Sequence, residues 1–207
     1  MSTTRRLRTF VLRVSVVVIG VANACARPAD SNVAPVADSA SVARARAAAD
    51  SLGPALMGKL VGALDSDGPD AAITFCADSA QALTARFAHD GVMIRRVGTR
   101  VRNPLNAPDS LEQRILAYYD AERAAGRPML EVREVARTAD DGGWELRLLR
   151  PVTVLERCTT CHGSTDQIPA STAALIAARY PDDKAVGYAA GDLRGAITVR
   201  IALPTAR

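Results

Sequence analysis

LRPVTVLERCTTCHG, residues 149–163, runs a β-like stretch straight into two cysteines and a histidine. That order decides between architectures. A redox dithiol of the thioredoxin type opens a helix inside a βαβ unit. Here the motif follows the second arm of a hairpin, and no parallel crossover pattern surrounds it. A zinc ribbon needs a second ligand pair at similar spacing, and only Cys76 and His89 stand as outside donors. A disulfide between residues so close would seal a tiny loop and add little stability. C-x-x-C-H is, however, the attachment sequence for c-type haem, in which both thiols add across vinyl groups and the adjacent histidine reaches the iron. Cys158 and Cys161 then carry one covalent haem c, and His162 is its proximal ligand.

Working outward, residues 129–137 and 144–154 form the two arms of the hairpin, joined across Asp140-Asp141-Gly142-Gly143. Glu145 and Arg147 alternate with Leu146 and Leu148, the period of a strand with two unlike faces. Downstream, a short helix is expected around 171–179. A closing strand over 195–203 alternates Ala196, Thr198 and Arg200 with Ile197, Val199 and Ile201. Gly191-Asp192 with Arg194-Gly195 reads as the turn before it, where glycine permits positive φ. Upstream, an Ala-rich helix begins at about Ser39, with Leu52, Leu56, Leu60 and Leu64 at helical spacing. Gly53-Pro54 should kink or break it. Asp67-Gly68-Pro69 starts another helix that runs to about His89 and stops at Asp90-Gly91. Residues 92–97 read as a strand, 102–109 (RNPLNAPD) as a proline-stiffened loop, and Ser110 with Gln113 as a capping box. Helices first and antiparallel strands later indicate an α+β domain over 39–207.

The first 25 residues read as an export signal: a basic head (Arg5, Arg6, Arg8, Arg13), a short apolar run, and Ala22-Asn23-Ala24 as the cleavage site. Two readings stand for Cys25, simple cleavage before it or lipid attachment to its thiol. Residues 26–38 form a flexible tether. Taking the four leader arginines from 26 basic residues leaves 22 against 22 acidic ones, so the mature chain is formally neutral. Binding to nucleic acid is not expected, and contact with a membrane only through a lipid on Cys25. The expected location is the periplasm or an outer-membrane anchorage.

Cysteine arithmetic leaves Cys76 over. Ile73, Cys76, Ala80, Leu83 and Phe87 share one helical face, so Cys76 points inward. There it is either a small buried hydrophobe or the distal iron ligand, with His89, Met57, Met93 and Met129 as other candidates. His89 falls off that face, near the helix end. Arg100 and Arg102, beside Asn103, are candidates to meet haem propionates, against a loop-fixing role.

Four segments together resemble a known family: AITFCADSAQAL (72–83), RRVGTRVRNPLNAPDSLE (95–112), LRPVTVLERCTTCHG (149–163) and GYAAGDLRGAITVRI (187–201). They are similar to the bacterial c-type haem-binding domain with a PAS-like fold, found alone or at the sensory end of signalling proteins. The resemblance covers most of 40–203. It implies a PAS-like antiparallel sheet, long N-terminal helices, and one covalent haem held by histidine and cysteine. On that basis Cys76 is the distal ligand, because the ITFC segment matches the family position.

The expected function is an exported redox or gas sensor module, not an enzyme. It would answer to a diatomic gas or to a redox or signalling protein partner. The alternative is a small electron-transfer cytochrome c. A peroxidase-like enzyme would need distal acid/base groups, for which only His89 offers itself.

Overall fold

The computed structural model describes residues 33–138 and 141–204. The export signal, Cys25 and the tether up to residue 32 lie outside the described residues.

Helix α1, Ser39–Thr74, starts on Asp38, whose carboxylate accepts the Ser41 N–H at 2.7 Å. Gly53-Pro54 does not break it. The backbone leaves helical geometry only at Gly68, with φ 81°. Pro54 sits on the exposed face, so the carbonyl it leaves unbonded faces water, while Leu52 and Leu56 on the other face are buried. Pro69, with φ already fixed, restarts the helix after Gly68. A π turn, Phe75–Ser79, follows, in which the Ala80 N–H reaches back to the Phe75 carbonyl. Helix α2 is Ala80–Ala85, and Asp90 (φ 52°) with Gly91 (φ 75°) turns the chain into β1, Val92–Val97.

Helix α3, Ser110–Ala124, is capped one residue earlier than the Ser110–Gln113 pairing suggested. Asp109 accepts the Glu112 N–H at 2.9 Å, and Glu112 accepts the Asp109 N–H at 2.9 Å. Strands β2, Val132–Arg137, and β3, Trp144–Thr153, form the expected hairpin. Short helix α4, Thr159–His162, carries the end of the cysteine motif, α5 spans Ala170–Arg179, and β4, Leu193–Leu203, closes the chain.

The four strands make one antiparallel sheet in the order β1-β4-β3-β2. Leu146, Leu148, Ile197, Val199 and Ile201 face α1, where Ala45, Ala49, Leu52 and Leu56 meet them. Leu149, Leu193 and Ala196 on the other face meet Leu111, Ile115, Leu116 and Tyr119 of α3. Each of these leucine, isoleucine and valine side chains contributes about 1.5–3 kcal/mol on burial. The alternation of Glu145 and Arg147 is as expected, but their face is not open to water. Both lie under the start of α3, Arg147 pairing with Glu145, Glu112 and Asp109, and Glu145 also with Arg200. Tyr119 adds a strap, donating to the Leu149 carbonyl at 2.8 Å and accepting the Val132 N–H at 3.2 Å.

Candidate functional site

The end of β1 and the start of β4 can approach closely because both are glycine there. A Cβ on Gly195 would lie 2.0 Å from the Val97 carbonyl oxygen, and one on Gly98 would lie 2.9 Å from that of Arg194. The absence of side chains leaves room beside the sheet. An open cleft lies between this edge, α1 with its π turn, and the cysteine motif. Leu56, Leu60, Val61 and Leu64 give it an apolar wall, and Gly98, Gly195 and Ala196 a side-chain-poor one.

Cys158, Cys161 and His162 all line this cleft. The motif is wound as a 3₁₀ turn, Glu156–Cys158, running into α4. Gly163 closes it, donating to the Thr159 carbonyl at 2.7 Å; a Cβ there would be 2.6 Å from that same oxygen. The segment 185–188 is laced to it. Tyr188 N–H donates to the His162 carbonyl at 2.9 Å, Gly187 N–H to that of Gly163 at 2.7 Å, and His162 Nδ1 to that of Ala185 at 2.6 Å. Burial, followed by the charges of Arg194 and Arg102, drives the His162 pKa down to about 3 against a partial offset from the Ala185 carbonyl. The ring is therefore neutral, with its Nε2 lone pair unused by the backbone. Both motif thiols are free, and burial raises the pKa of Cys161.

Cys76 enters the same cleft from the π turn. Such a turn inserts one residue into a helix and re-aims the side chains that follow, and it is common at functional sites. Ile73, one turn earlier, also lines the cleft and packs on Ile168 and Ile176, whereas Ala80 and Leu83 join the α1 core. Burial raises the Cys76 thiol pKa, and Arg96, Arg102 and Arg194 oppose that rise.

The model of the Tll0287-like family matches residues 5–202. The chain belongs to the Tll0287-like family. Among solved structures, the crystal structure of the cyanobacterial haem protein Tll0287 is similar to it, with a TM-score of 0.61 at 22% identity, covering 83% of this chain and 100% of that one. At that identity the likeness is one of fold. No curated protein matches the chain.

On this Tll0287-like frame the arginines are distributed differently from the sequence reading. Arg102 does line the cleft, where its Nη2 pairs with Asp183 at 3.0 Å and donates to the Cys161 carbonyl at 2.6 Å. Arg100 is not brought to the cleft. It lies 3.6 Å over the Tyr188 ring and donates to the Val186 carbonyl at 2.9 Å. Arg96 and Arg194 line the cleft in its place, and the reading of Arg194-Gly195 as a mere turn misses this. The cross-strand register brings this about, since Arg96 pairs with Ile197, an α1-side position. Of the other candidates, Met57 lines the cleft, whereas Met129 packs against the α3 core and Met93 is exposed. The His89 side chain is 67% exposed beside Asp90 and takes no part.

Proposed function

We propose that this chain carries one haem, bonded through Cys158 and Cys161, with His162 and Cys76 as axial ligands, and that it works outside the cytoplasm as a redox- or gas-responsive module rather than as an enzyme. The observation that carries the reading is the convergence of two distant segments. The π turn delivers a thiol, and the C-x-x-C-H motif an imidazole and two further thiols, to one cleft. The residues present fit such a group: aliphatic and glycine walls suit a flat apolar ring, and the free thiols suit thioether formation. The haem protein Tll0287, of similar fold, supports it.

Bound haem would supply a one-electron couple and an iron able to take a diatomic gas. The residues set the conditions. The Ala185 carbonyl fixes the His162 tautomer and strengthens it as a donor. Cys76, as thiolate, would favour the ferric state and lower the potential. The test is mass spectrometry with electron paramagnetic resonance on protein matured with working cytochrome assembly. The expected result is a mass gain of one haem and low-spin g values of thiolate–histidine ligation. An unshifted mass and a colourless protein would overturn the proposal. Spectra unchanged by carbon monoxide or nitric oxide, together with fast electron exchange, would favour the electron carrier.

A further inference from the structure

Among the described residues, the cleft wall contains four arginines (Arg96, Arg102, Arg157, Arg194) and no acidic side chain. Arg157 is exposed, so three cations are held together in a largely apolar space. They are close enough to repel one another: Arg102 and Arg96 both depress the pKa of Arg194, after burial itself. Burying charge without a counter-charge is unfavourable, so a cluster of this kind calls for an anion.

The protein supplies only part of the compensation. Asp183 neutralises Arg102. Among the described residues, Arg194 has one hydrogen bond, to the Arg100 carbonyl at 3.3 Å, and Arg96 has a fully buried Nε with no partner. The groups facing Arg96 are the Cys76 thiol and the Tyr180 phenol; those facing Arg194 are Tyr188 and the already paired Asp183. Three guanidinium charges against one carboxylate leave two positive charges. Planar guanidinium forks match carboxylates better than any other common anion except phosphate.

Resting on the haem reading above, we infer that Arg96 and Arg194 each hold one of the two haem carboxylates, while Arg102 anchors the cysteine motif. The Cys76 thiolate would be matched by the net positive charge of a ferric porphyrin core, so the two side-chain carboxylates remain for the two free arginines. Arg102 is not one of the two uncompensated cations: Asp183 neutralises it, and its Nε and Nη2 tie Asp183, the Cys161 carbonyl and the Ala185 carbonyl together.

The experiment is resonance Raman spectroscopy of the haem-loaded protein, reading the carboxylate bending bands, with the potential followed against pH. In the wild type both bands should sit at hydrogen-bonded frequencies, and the potential should show no carboxylate inflection from mildly acidic to neutral pH. Arg96→Gln and Arg194→Gln should each shift one band and introduce such an inflection, and Arg100→Gln should do neither. Wild-type bands at unbonded frequencies would overturn the inference even if the variants fold poorly; so would bands unmoved in both variants. Haem present by mass with unmoved bands defeats this inference alone, whereas unshifted mass defeats the function it rests on.

Discussion

His162 Nδ1 lies 2.6 Å from the Ala185 carbonyl oxygen, and since a carbonyl only accepts, Nδ1 must carry the ring proton. Nε2 is thereby left with its lone pair and a fixed direction. Ala185 is itself held: its N–H donates to Asp183 Oδ1 at 2.8 Å, and the other carboxylate oxygen takes Arg102, which also donates to the Cys161 carbonyl. One carboxylate therefore ties the histidine's support to the cysteine motif.

Asp183→Ala should consequently loosen both at once. The Arg102 and Asp183 side chains are each only 9% exposed, and removing one partner of a buried pair costs about 3–5 kcal/mol. The expected outcome is a lower denaturation midpoint and a broadened low-spin signal in the haem-loaded protein. Chemical unfolding and paramagnetic resonance on the same sample check it; an unchanged spectrum would show that the ring is oriented by something else.

Replacing Cys76 with Ala removes the one sulfur that the π turn delivers to the cleft, and the Soret band should shift while the potential rises. Met57 is the methionine that lines the cleft among the described residues, so it is the side chain expected to take the vacated position. Cys76→Ala with Met57→Leu should then turn high-spin, whereas His89→Ala should change nothing. Absorption spectra of the four proteins decide it.

The residues that made the fold legible carry local signals: period-2 alternation in β3 and β4, Asp90-Gly91 before β1, and Gly68-Pro69 at the real break in α1. Gly53-Pro54 misleads because a proline on a wet helix face leaves its unbonded carbonyl to water, an outcome that depends on which face is buried. The cysteine motif was legible because its chemistry is contiguous. Arg96 and Arg194 were not, since their proximity comes from strand register and from two glycines meeting across it. The π turn at Phe75–Ser79 holds no proline or glycine to announce it.

Glycine substitutions test that crossing. At Gly195, φ is 151° and a Cβ would lie 2.0 Å from the Val97 carbonyl oxygen, so Gly195→Ala must part β1 from β4. A loss of more than about 2 kcal/mol is expected, with strain and displaced backbone both contributing. Gly58, inside α1, has open space where a Cβ would stand, with nothing within 4 Å, and Gly58→Ala should stabilise by about 0.5–1 kcal/mol. Opposite signs in thermal denaturation are the required result.

Acid should act through the cluster at the start of α3. Burial pushes the Asp109 pKa up, but the Glu112 N–H and the Arg147 and Arg95 guanidinium groups outweigh it, and the net shift is down. A carboxylate with a depressed folded pKa binds its proton first in the unfolded chain, so its stabilisation is complete above the ordinary carboxylate range, near pH 4. It is then lost as pH falls through the folded value. Asp109→Asn keeps an acceptor for the helix N–H while deleting the charge facing Arg147. The variant should be less stable at neutral pH, and its stability should fall less steeply below about pH 4 than that of the wild type. Urea unfolding midpoints measured at neutral and acidic pH provide the comparison, and parallel curves for the two proteins would remove Asp109 from the acid response.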